Sequence, residues 1–138
     1  MATTTNLTPS VLDRPIQNGS LTLATITSGA VAAGAVVTVA AVCRAGGVHL
    51  AAGGGIPLPG FVMVTLLAAI LGGLIAAAFR RGGVARYRFA QTTVVLAALS
   101  CLVPILAAAG VASKLALTST HIVAAAIIIP VLARRLPS

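Results

Sequence analysis

Acidic side chains are almost missing from this sequence: Asp13 stands alone against nine Lys and Arg in 138 residues, and there is no Glu. A single carboxylate excludes paired-carboxylate catalysis and an acidic metal site within one protomer. Aromatics are equally scarce, with one Tyr, three Phe and no Trp. Nucleic-acid surfaces combine basic patches with stacking aromatics, so the net charge of +8 does not by itself predict a nucleic-acid partner. Only 7% of residues are charged, far below the roughly one quarter of a soluble domain, which leaves too little polar side chain to coat a globule.

The remaining reactive groups are two Cys and two His. Cys43 and Cys101 do not form a Cys-x-x-Cys pair. Their positions in the apolar runs put them about 13 Å apart in depth, beyond the ~7 Å reach of a disulfide. Both are expected as small apolar packing residues. The Gly-rich stretch Gly53-Gly54-Gly55 lacks the Lys and Ser or Thr of a phosphate loop. Asn6-Leu7-Thr8 matches a glycosylation pattern, yet Pro9 follows it on the side expected to face the cytoplasm. No cofactor and no enzymatic activity are predicted.

What is present is apolar sequence: 59% of the chain, concentrated in four uninterrupted runs. They cover about 23–43, 60–79, 89–110 and 115–133, each near the roughly 20 residues that cross a ~30 Å hydrocarbon core as a helix. Barrel strands are about half that length and alternate polar with apolar positions, which these runs do not. The first run exceeds the 7–15 residues of a removable leader's core, so a retained span is expected. The predicted fold is therefore all-α, a multi-pass transmembrane four-helix bundle over 21–138, preceded by a flexible cytoplasmic tail over 1–20.

Charge placement predicts orientation. In an up-down-up-down bundle Arg14, Arg80, Arg81, Arg86, Arg88, Arg134 and Arg135 share one side, while Arg44 and Lys114 share the other. Positive charge is retained in the cytoplasm, which puts both termini and the 80–88 loop there, in the cytoplasmic membrane. Arg80, Arg81, Arg86 and Arg88 are expected to contact anionic lipid headgroups at about 1 kcal/mol each, with Tyr87 as an interfacial anchor.

His121 is the one ionisable side chain expected well inside a span, and such a group marks a functional-site hypothesis. Counting inward from the outer helix ends brings Thr38 and Thr65 to a similar depth. Pro104 deprives the carbonyl of Ser100 of its helical donor. These groups predict a polar layer of His121, Thr38, Thr65 and Ser100, with His121 hydrogen-bonded to Thr38 or Thr65 on another helix. Such a layer is either packing glue between helices or the lining of a ligand or proton-coupled site. Small residues at four-residue spacing, Ala68, Gly72 and Ala76, and Ala30 with Gly34, suit close helix contact within the bundle or in a homodimer.

The stretch Ala107-Ala108-Ala109-Gly110-Val111-Ala112-Ser113-Lys114-Leu115, with His121-Ile122-Val123-Ala124-Ala125 and Pro130, resembles the last hairpin of an actinobacterial family of small four-helix membrane proteins, a domain of unknown function. The likeness covers roughly Thr22 to Arg135 and includes the turn Gly47 to Leu50. It implies the same four-span layout and draws attention to Lys114, His121 and Pro130, with an acidic residue in relatives where this chain has His49. It implies no activity.

Two functional classes stay open. One is a structural or accessory component of the cytoplasmic membrane, surrounded by lipid and packed on itself or on a larger envelope complex. The other is a small transporter or channel with a polar site around His121. Four-helix multidrug exporters carry an intramembrane Glu that the first span here lacks, and the Asn and Phe set of small fluoride channels is absent.

Overall fold

A computed structural model describes residues 14–48, 50, 57–80, 85–108 and 110–137, with side chains described from Ser20 onward. Four helices account for nearly all of them: α1 (Arg14–Ala45), α2 (Leu58–Phe79), α3 (Ala85–Ala107) and α4 (Val111–Ala133). No strand occurs among the described residues. All four helices are long and apolar enough to cross a membrane. Their outward side chains are apolar too, with Leu106, Val111 and Val42 at least two-thirds exposed. Water would not tolerate that surface, whereas hydrocarbon solvates it.

The helix ends differ from the apolar runs for local reasons. α1 begins at Arg14, so 14–20 of the expected tail are helical and 1–13 lie outside the described residues. Pro57 and Pro59 bracket the first residue of α2, where a missing N–H is harmless. α3 stops at Ala107, short of the expected 110. Gly110 then adopts φ 83°, which a residue with a side chain resists, and α4 starts at Val111 with Lys114 already in its first turn.

Glycines decide how close the helices come. A Cβ on Gly29 would lie 2.9 Å from the Cβ of Ala69, and one on Gly73 would lie 2.6 Å from Thr25 Oγ1. α1 and α2 therefore touch nearly backbone to backbone, the N-terminal half of one beside the C-terminal half of the other. Gly72 faces α4 instead, where its Cβ would meet Leu132. α1 packs along both α2 and α4, and α3 packs chiefly on α4, while α2 and α3 touch little. The backbone N–H of Arg86 donates to Pro137 O at 3.2 Å, tying the start of α3 to the segment after α4.

Buried side chains form two separate cores. One, near the arginine-rich end, includes Ala76, Phe89, Ile128 and Leu132. The other, at the opposite end, includes Val36, Leu50, Phe61 and Leu117.

Candidate functional site

Between the two cores the weak contact of α2 with α3 leaves a cleft of about 480 Å³. It runs along α2 from Gly60 to Ile75 and along α3 from Phe89 to Ser100, with α4 as its back wall. Val64, Leu71 and Leu96 on its rims are exposed, so the cleft opens sideways, toward the lipid that would surround the bundle. Its lining is apolar except for five side chains: Thr65, Thr93, Ser100, Thr120 and His121.

Each of these five bonds to its own helix. Thr65 Oγ1 donates to Phe61 O at 2.7 Å, Thr93 Oγ1 to Phe89 O at 2.7 Å, Ser100 Oγ to Ala97 O at 2.7 Å and Thr120 Oγ1 to Leu117 O at 2.7 Å. In a helix whose surroundings offer no water, donation to the carbonyl a turn earlier is the nearest way to satisfy a hydroxyl. His121 follows the same rule, with Nδ1 2.9 Å from Leu117 O. A carbonyl oxygen only accepts, so the bond requires the ring proton on Nδ1 and leaves Nε2 of the neutral ring as an acceptor.

The expected polar layer is therefore corrected in two respects. His121, Thr65 and Ser100 do line one space, but Thr38 does not. Thr38 is exposed and donates to Gly34 O at 2.9 Å. The hydrogen bond of His121 is to Leu117 O within α4, and not to Thr38 or Thr65 on another helix. The hydroxyls are satisfied before any interhelical partner is needed, and the gap between α2 and α3 keeps those helices from meeting. Sequence reasoning missed Thr93 and Thr120, both buried. Thr93 was legible in its spacing: Phe89, Thr93, Ala97 and Ser100 recur at helical intervals and share one face of α3.

His121 also lines a second groove of about 420 Å³ with Cys101 and Pro130, on the α3–α4 side. The imidazole thus stands between two apolar spaces, about 15 Å from the start of a 23-residue helix and about 18 Å from its end. Cys43 and Cys101 are both free. No group of three or more His, Cys, Asp or Glu side chains suited to a metal occurs among the described residues. Thr118 Oγ1, outside the cleft, is buried with no hydrogen-bond partner.

Five of the described arginine side chains gather at one end, and Arg44, in the last turn of α1, is at the other. Arg80 caps α2 and is half-buried, Arg86 and Arg88 are exposed on the first turn of α3, and Arg134 and Arg135 follow α4. Arg81 and His49 lie outside the described residues.

Among known proteins, the model of one family, a family of unknown function (DUF6069), matches residues 17–138. No curated protein and no solved structure matches the chain.

Proposed function

The chain belongs to this family of unknown function, and from the bundle it forms we propose an accessory, non-enzymatic component of the cytoplasmic membrane that seats a membrane-dissolved apolar molecule between α2 and α3. The observation that carries the reading is the sideways-opening cleft. It spans about 22 Å of α2, from Gly60 to Ile75, and its lining is almost wholly apolar. An apolar groove of that length suits a hydrocarbon chain lying along the helices. The volume lies in the ordinary range of ligand pockets, about 300–1,000 Å³.

In this reading the bundle runs up-down-up-down with both termini cytoplasmic, which the seven-to-two split of Arg and Lys favours. Arg80, Arg81, Arg86 and Arg88 then hold the cytoplasmic end of the bundle against anionic headgroups. Partners are lipids, a second copy of the chain or a larger envelope complex, and not nucleic acid. One observation favours a small transporter as the second reading: His121 borders both the cleft and the outer groove, so a molecule passing from one to the other would slide past the imidazole.

Native mass spectrometry of the protein released from lipid nanodiscs tests the first reading. The expected result is a retained apolar molecule that is lost from Ala97→Phe, whose ring fills the cleft, while circular dichroism stays unchanged. The same bound molecules on both proteins would overturn it.

A further inference from the structure

All the side-chain donors around the cleft are already committed, and only acceptors remain. Thr65, Thr93, Ser100 and Thr120 each spend their single hydroxyl proton on a backbone carbonyl, and His121 spends its Nδ1 proton likewise. Each hydroxyl oxygen keeps lone pairs, and so does Nε2 of the neutral ring. The helical N–H groups behind them are engaged in their own ladders. Ser100 carries one further acceptor, because Pro104 has no N–H to offer its carbonyl.

Resting on the cleft-binding reading above, we infer that the seated molecule is an uncharged, membrane-dissolved alcohol or phenol, whose hydroxyl donates to the acceptors grouped around His121. A carbonyl or ether group finds no donor here. To receive a hydrogen bond it must take one from a hydroxyl that already holds it. An ammonium is disfavoured as well: no carboxylate lines the cleft, and a fixed charge at this depth is costly. A hydroxyl is neutral, brings the missing proton and meets no water near the middle of the bilayer, where an unpaired polar group is penalised. Four of the five polar side chains, Thr65, Ser100, Thr120 and His121, lie within about 5 Å of one another in depth, counted from their helix ends, and that level is where the hydroxyl sits; Thr93 lies about 10 Å beyond Ser100 along α3.

Two photoreactive probes of equal length test this, a long-chain phenol with a diazirine in its tail and the methyl ether of the same molecule, each added to the protein in phosphatidylcholine nanodiscs. Labelled peptides are located by mass spectrometry. The phenol is expected to label cleft residues of α2, α3 and α4 about tenfold more than the ether, the ratio set by one hydrogen bond of roughly 1.4 kcal/mol. In His121→Leu phenol labelling should fall toward the ether's level while ether labelling stays the same, and Thr65→Val should give a smaller fall. If His121→Leu does not fold, the phenol-to-ether ratio of the unaltered protein still decides. Equal labelling by both probes at the cleft would overturn the hydroxyl preference and leave the cleft reading standing. No labelling at the cleft by either probe would overturn both.

Discussion

Thr118 and His121 sit three residues apart on α4 and differ in what their polar atoms have found. Thr118 Oγ1 is buried with no partner. A buried hydroxyl without a hydrogen bond is a standing cost, and a methyl group of the same shape removes it. Thr118→Val should therefore raise stability by about 1 kcal/mol, measured by denaturant titration in bicelles. A loss of stability would show that Thr118 has a partner after all. His121 has the opposite arrangement, since its bond is local to α4 and ties no two helices together. His121→Leu should cost less than about 1 kcal/mol in the same titration, because an apolar side chain of similar size takes its place and only an intrahelical bond is lost. A loss of several kcal/mol would mean that the imidazole holds helices together. Here the sequence was a partial guide. It marked His121, Thr65 and Ser100 as groups at one depth, and they do line one cleft. It could not reveal that each would turn back to its own helix, because a depth count contains no information about which carbonyl lies nearest.

At the scale of the helices, close packing is decided by which small residue faces a neighbour. Spacing singled out Ala30 with Gly34 and Ala68 with Gly72 and Ala76. The closest approach falls instead on Gly29 and Gly73, one position away from Ala30 and Gly72, which on a helix is a rotation of about 100°. Long apolar runs make spans easy to read and faces hard, since lipid and core favour the same side chains and no polar stripe marks the outside. Paired variants separate the two faces. Gly73→Ala drives a methyl against Thr25, whose branched side chain has little room to yield, and should lower stability by about 1–3 kcal/mol. Gly34→Ala meets nothing within 4 Å and should be neutral or slightly stabilising through helix propensity. If Gly34→Ala instead reduced the oligomer seen by chemical cross-linking, the Ala30 and Gly34 face of α1 would be where copies of the chain meet.

For the whole molecule, α4 begins four residues before the expected 115, but the number of long apolar helices was legible because each rests on a feature larger than one residue, about 20 apolar residues. The gap between α2 and α3 was not, because it depends on both helices leaning on their other neighbours, α2 on α1 and α3 on α4. Orientation rests on charge alone, and it is therefore open to a direct test. A fluorescent protein that matures only in the cytoplasm should light up when fused after Ser138. Fused after Gly47, between the first two spans, it should stay dark, because Arg44 and Lys114 are the only basic residues assigned to that side. Exchanging Arg80, Arg86 and Arg88 for Gln removes three of the seven charges that hold the other side in place and should produce a mixed population. Unchanged, uniform orientation in that variant would show that the remaining Arg14, Arg81, Arg134 and Arg135 suffice to set it. A bright Gly47 fusion in the unaltered protein would invert the bundle. The arginine-rich end, and with it the Phe89 end of the cleft, would then face away from the cytoplasm.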